Sequence, residues 1–312
     1  MKLYSIAHTE PSAHKRDRAR EWFMKGCRLE RLDPDSDQAV DAYRKSIQMD
    51  GSFTDAYIHV GFIYLKRERC DEALKYFEQA VALNPDNPET YNNIGYVYEK
   101  MNRSGSAKQM YHHALGIAPG NTEAMLHIAR ILEREGNYHG AMEQYRRAME
   151  ADPRAVAPRF RLAALYDRHD MFDEAIQEYL NVLAVDPEHR NALLNLGNLY
   201  VQLGDDAKAV IAFERVLQLE PDNAEVWNDL GSLYEEAKLY EKAAAAFERS
   251  ISLDPLHEEA HLNLARLQCR GYYSNPDSSR KEKIIQRLHF ILSVNPHHQE
   301  AKKLLEELGR TH

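Results

Sequence analysis

Proline recurs every 34 residues through most of the chain: Pro85, Pro119, Pro153, Pro187, Pro221 and Pro255. Gly51 holds the same place one period earlier, and Pro296 holds it once more after 41 residues, a delay of seven. A fixed period of this length means stacked copies of one small unit, each packing only on its neighbours. Such a stack offers an extended surface in place of a catalytic pocket.

Within one period, residues 54–87, Tyr57, Val60, Gly61 and Tyr64 recur at spacings of three, one and three, which is one face of a helix. Ala73, Phe77 and Ala80 mark a second helix, and Pro85 ends it, because proline lacks the amide hydrogen and disfavours helix in the residue before it. Later periods repeat the pattern: Tyr91, Ile94, Gly95, Tyr98, Ala107, Tyr111 and Ala114 in one, Trp227, Leu230, Gly231, Tyr234, Ala243, Phe247 and Ser250 in another. Small residues stand where helices must approach closely, with aromatics beside them. Asn87, Asn121 and Asn223 precede first helices as expected N-caps, and Pro88 takes the favoured first position.

A length of 312 residues would ordinarily mean two domains, but the repeat overrides that expectation. A net charge of −9, from 49 acidic and 40 basic residues, argues against nucleic acid as the main ligand. No window approaches the roughly 18 apolar residues needed to span a bilayer. The N-terminus lacks the apolar core of a secretory signal. Cys27, Cys70 and Cys269 form no CxxC pair, so a reducing cytoplasm is expected.

This pattern resembles the tetratricopeptide repeat family over roughly residues 20–297. The resemblance implies an all-α, right-handed α-solenoid of about eight helix-turn-helix units with a C-terminal capping helix. The expected organisation is an N-terminal arm at 1–18, a solenoid at 19–297, and a capping helix and tail at 298–312. Repeats fall near 19–53, 54–87, 88–121, 122–155, 156–189, 190–223, 224–257 and 258–297. Trp22, Gly26, Leu29, Ala39, Tyr43 and Ser46 fit an irregular first repeat with one extra residue in its turn. The last repeat departs from the pattern: His261 replaces the usual aromatic, and Gly271–Ser279, rich in Gly, Ser and Asn-Pro, is expected to form a loop. A final helix near His298–Leu308 is expected to turn Leu304, Leu305 and Leu308 toward the stack as a cap.

The resemblance also implies that first helices line a concave groove that holds extended peptides or partner helices. One groove-type position is polar in every repeat: His59, Asn93, His127, Arg161, Asn195, Asp229 and Asn263. An amide both donates to and accepts from a peptide backbone, which suits Asn93, Asn195 and Asn263 to an extended ligand; the same polarity also serves a merely solvated helix face. Asn92, Tyr96, Arg130, Phe160, Asn198, Asn228 and Arg266 lie within a turn of this ladder. Phe62, Tyr96 and Phe160 are either exposed interface aromatics or packing against the preceding repeat. Arg130, Arg134, Arg161 and Arg168 make the middle repeats weakly basic, and Glu225, Asp229, Glu235 and Glu236 make the seventh acidic. That is either a polarity that orients a ligand or a solvated charge run. Three successive repeats carrying the lysine, asparagine and arginine set of chaperone-binding members are not found.

The adjacent pairs His112-His113 and His297-His298 point different ways on a helix, so no metal is expected. Phosphate-loop, GxSxG and HExxH motifs are missing from the sequence, and no cofactor is expected. The arm, with Leu3, Tyr4, Ile6 and Pro11 ahead of basic His14–Arg20, is either a loose tail or a segment docking in a groove. The reading is a non-catalytic adaptor or assembly scaffold for a protein or peptide partner, without nucleic acid or membrane insertion. The alternative is a homo-oligomer in which one chain's terminus fills another's groove. Asn195→Ala is expected to weaken binding while leaving stability nearly unchanged.

Overall fold

The computed structural model describes residues 12–274 and 277–310; Leu3, Tyr4, Ile6 and Pro11 lie outside the described residues. Among the described residues, helices follow in pairs. These are α1 (Ala13–Leu32) and α2 (Asp37–Met49); α3 (Thr54–Lys66) and α4 (Cys70–Leu83); α5 (Pro88–Lys100) and α6 (Ser104–Ile117); α7 (Thr122–Arg134) and α8 (Tyr138–Ala151). The order continues with α9 (Val156–Asp167) and α10 (Phe172–Val185); α11 (Arg190–Gln202) and α12 (Asp206–Leu219); α13 (Ala224–Glu236) and α14 (Tyr240–Leu253); α15 (Glu258–Ser274) and α16 (Ser278–Val294). A single helix, α17 (Gln299–Arg310), closes the chain. This is an all-α repeat solenoid of eight pairs and a cap. It divides into two compact halves, one ending at Leu162 and the other beginning at Ala163, within α9. From α1 through α8, and again from α10 through α17, each helix packs on the next.

Local chemistry sets the joints. Asn87, Asn121 and Asn223 accept from the amides of Glu89, Ala124 and Val226, capping α5, α7 and α13 as expected. From the second repeat to the seventh, the turn inside the repeat reverses through one residue of positive φ: Glu68, Asn102, Gly136, Asp170, Gly204 and Lys238, again 34 residues apart. The following amide reaches back over it, as Arg69 N to Tyr64 O and Asn137 N to Leu132 O, satisfying carbonyls at the end of the first helix. Glycine occupies only two of these positions, so four repeats hold an L side chain in left-handed backbone.

In the first seven repeats the two helices meet at an aromatic ring, and in the last at Leu288. A Cβ built on Gly95 would stand 2.6 Å from Tyr111 Cε1, and one on Gly197 2.6 Å from Phe213 Cε1. Both rings are fully buried, so neither can move aside cheaply.

Several repeats also tie the first helix to the turn before it. Tyr57 donates to Gly51 O, Trp227 to Pro221 O and His261 to Pro255 O, always six residues back. His261 therefore keeps the hydrogen bond of the aromatic it replaces, and its second ring nitrogen adds a contact with Arg287 at 3.0 Å.

Two expected boundaries move. α1 begins at Ala13, so His14–Arg20 is helix and not arm; no glycine or proline interrupts the stretch from Ser12 to Gly26. Gly271–Ser274 is also helical, and α16 starts at Ser278, so the expected loop at 271–279 is not formed as such; residues 275–276 lie outside the description. Position 272 follows the left-handed column by one more period, but Tyr272 is buried in the terminal core, and α15 runs on. α15 and α16 each have 17 residues against 13 and 14 in α13 and α14, gains of four and three that account for the seven-residue delay. On α17, Leu308 is buried and Leu304 and Leu305 pack beside it.

Replacing Gly197 by leucine is expected to cost at least about 1–3 kcal/mol in a urea melt, because the Phe213 ring must be displaced. Lys238→Gly is expected to raise stability by up to about 1 kcal/mol, since it relieves a left-handed lysine without touching a core contact. A loss would mean that the Lys238 side chain contributes more than its backbone strain costs.

Candidate functional site

The second-helix ring is tyrosine in some repeats and phenylalanine in others, and this choice organises the first-helix face. A buried phenol must find a partner. Tyr43 donates to Glu30 at 2.7 Å, Tyr111 to Glu99 at 2.7 Å, and Tyr145 to Glu133. Tyr179 receives the Asn195 amide at 2.9 Å and feels the charge of Asp167. Where the ring is Phe77 or Phe213, the residue twelve positions earlier is Leu65 or Val201. Carboxylates on the last turn of the first helices therefore accompany tyrosine hydroxyls. The exception is Glu235, opposite Phe247, which bridges Arg266 and Arg270 at 3.8 and 3.7 Å.

Ladder residues join this network from the following repeat. His59 Nδ1 lies 2.9 Å from Glu30 and 3.2 Å from the Tyr43 hydroxyl. His127 Nδ1 lies 2.7 Å from Glu99, its ring stacked on Tyr111 with centroids 4.8 Å apart. Glu99, only 5% exposed, also accepts from Arg134 at 2.8 Å. Burial pushes its carboxyl up, but the hydrogen bonds from His127 and Tyr111, with the charges of His127 and Arg130, hold it below the ordinary carboxylate value. Burial, then the bond to Glu99, pushes the Tyr111 hydroxyl far above an ordinary phenol.

The structure separates the expected contact residues into two groups. Asn93 is half-buried and makes no side-chain hydrogen bond to the described residues. Tyr96 is half-buried, edge-on to His127 at 5.8 Å. Arg130, Arg161 and Asn198 are exposed, and Phe160 is half-buried. Arg266 is partly exposed and donates to Asn263 at 3.0 Å. Asn92, Asn228 and Asn263, in contrast, are 3%, 2% and 5% exposed. Asn92 donates to Asn121 and Glu123, and Asn263 to Asn228. These three are therefore corrected from surface to inter-helix contacts. Each lies on the strip of its helix that meets a neighbouring first helix. Asn195 is similarly engaged by Tyr179, so Asn195→Ala alters the fold as well as the surface.

Asp229 is half-buried beside Glu225 and Glu259, with His257 and Asn228 on its other sides. Burial and the two carboxylates raise its pKa to about 6, against the lowering effect of His257 and Asn228. No group of three or more His, Cys, Asp or Glu among the described residues is placed to hold a metal ion. No described helix is long and apolar enough to cross a membrane.

Sequence reasoning did not single out Glu30 and Glu99, and took Glu133 and Asp167 only as charges offsetting the middle-repeat arginines, not as partners of buried rings. Their signal was available: an acid twelve or thirteen residues before each tyrosine and missing before Phe77 and Phe213.

Family models described as tetratricopeptide repeat match residues 88–121, 122–165, 160–224 and 196–269, and one described as TPR repeat matches 61–102. Together they run without a gap from 61 to 269. None of the curated proteins matches. Among solved structures, the C-terminal part of a TPR repeat-containing protein from Cytophaga hutchinsonii is similar at 17% identity and a TM-score of 0.66, covering 80% of this chain and 99% of that one. PilF of Pseudomonas aeruginosa aligns at 20% identity and a TM-score of 0.54, over 70% of this chain and 97% of its own. A tetratricopeptide repeat protein from Parabacteroides merdae aligns at 18% identity and 0.54, over 80% and 98%.

Glu99→Leu is expected to destabilise by about 1–3 kcal/mol, because it strands the Tyr111 hydroxyl. Adding Tyr111→Phe is expected to restore part of that loss, reproducing the Leu65–Phe77 pairing; a double-mutant cycle of urea melts that is purely additive would refute the coupling. For Asp229, the folded chain holds the proton more tightly than the unfolded one. Its contribution to stability therefore falls as pH rises from about 4, the ordinary carboxylate value, through about 6. Asp229→Asn is expected to raise the melting temperature at neutral pH and to lose that gain below about pH 4.

Proposed function

The chain belongs to the tetratricopeptide repeat family, and on that premise we propose that it is a non-catalytic adaptor or assembly scaffold whose first helices grip an extended segment of a partner protein. The fold of this family mediates protein–protein interaction. The observation that carries the reading is Asn93. Its amide, near the middle of α5, is left without an internal side-chain partner among the described residues, beside the half-exposed ring of Tyr96. An amide of that kind offers a donor and an acceptor to a passing main chain, and the ring offers apolar area at low entropic cost. In the same half, Arg130 and Arg161 present charge to the partner. In the C-terminal half, exposed Asn198 offers a second free amide.

Asn93→Ala/Tyr96→Ala/Arg130→Ala is expected to keep a wild-type circular dichroism spectrum. In pull-downs from native lysate it is expected to lose partners that the wild-type chain retains. Partners held equally by both chains would move the site off this face. Recovery of the chain alone, dependent on the same residues, would point to a self-assembling scaffold.

A further inference from the structure

We propose that the C-terminal ends of α3 and α5 form a docking site for an extended peptide segment that alternates acidic and apolar side chains. This rests on the scaffold reading and names the partner's chemistry. A cavity of about 610 Å³ opens here, lined by Phe62, Leu65, Cys70 and Tyr96 together with Lys66 and Lys100. Its volume is within the range of about 300–1,000 Å³ typical of ligand pockets.

The charge around it is lopsided. Lys66 and Lys100 are exposed, one period apart, and Arg134 continues the column on α7. Glu68 is the single acid lining the cavity. Two carboxylates on the last turns of first helices in this half are already engaged inside the fold, Glu30 by Tyr43 and His59, and Glu99 by Tyr111, His127 and Arg134. Lys100 lies over the Tyr96 ring at 5.4 Å, with no carboxylate among the described residues within salt-bridge distance. Lys66 has only Glu30, at 3.9 Å.

A base in the last turn favours a helix by meeting its C-terminal carbonyls. That effect alone does not account for the column, because α11 and α13 have no base in their last turns and are equally long. The basic ends also run against the chain's net charge of −9. Cations lining a cavity beside apolar side chains select a segment whose apolar side chains enter it while flanking carboxylates reach the lysines.

The test uses fluorescence anisotropy on the full chain with a fluorescein-labelled, C-terminally amidated peptide repeating Glu-Leu-Glu-Gly. Amidation removes the terminal carboxylate, so any binding reports on side chains. The peptide is expected to bind, to weaken with added salt, and to lose roughly tenfold in affinity on Lys66→Glu/Lys100→Glu. Lys45→Glu/Lys75→Glu makes the same charge change on α2 and α4 and is expected to leave binding nearly unchanged. Melting curves of both double variants confirm that each is folded. An equal loss in the two variants, or none in Lys66→Glu/Lys100→Glu, would overturn the proposal. Preference for a Lys-Leu-Lys-Gly peptide would overturn it while leaving the scaffold reading intact. If neither peptide binds, the acidic-segment proposal falls; the scaffold reading falls with it only if the lysate experiment also yields no partner dependent on Asn93, Tyr96 and Arg130.

Discussion

The close approach of the two helices within a repeat, a small first-helix residue set against a bulky second-helix side chain, is the constraint on which the stack depends; glycine fills that place in five repeats, and Ala129, Ala163 and Ala265 fill it in the others. With no side chain at Gly95 or Gly197, the ring of Tyr111 or Phe213 reaches the helix surface itself, at a spacing a single methyl group would contest. That contact fixes how near the two helices stand. The proline turn and the left-handed turn then only have to join ends whose separation is already decided. Dispersion and burial at the ring supply stability locally, so each repeat needs little more than its neighbours.

One oxygen atom distinguishes the two kinds of ring, and its effect is felt across the repeat boundary. A phenol in this site puts a hydroxyl where water is scarce, and an acid on the last turn of the first helix answers it. The acid in turn draws His59 or His127 from the next repeat. What looks from outside like a row of polar first-helix residues is thus partly the outer layer of an internal network. His59, His127 and Asn195 are held by it, whereas Asn93, following Phe77, is not. Phe77 thus leaves the following ladder residue free for other work, whereas Asn263, following Phe247, is taken up by Asn228.

The sequence made the helix pairs, the caps on α5, α7 and α13 and the terminal cap legible, because each is written in residues adjacent in the chain or one turn apart. The left-handed turns were hidden because Glu68 and Lys238 are not turn residues by type, so the column that Asn102, Gly136, Asp170 and Gly204 share with them is marked only by its period. The candidate surface was half legible. Periodicity separates the buried stripe of a helix from the rest, but it cannot tell a strip facing water from one facing the next first helix. Asn92, Asn228 and Asn263 lie on the second kind and were misplaced for that reason. Composition read Gly271–Ser279 as a loop, where the burial of Tyr272 carries the helix onward.

The long last repeat shows how such a chain can change size. Four residues added to one helix and three to its partner each amount to about one turn of 3.6 residues. Growth by a full turn restores the angular phase of every later side chain. Ile284, Leu288 and Ile291 consequently occupy the interior places that Ala243, Phe247 and Ser250 hold one repeat earlier. Length in this architecture is quantised: an insertion shared between both arms of a hairpin in whole turns is silent to the packing beyond it, whereas one of two residues would rotate the remainder of the helix out of its seat.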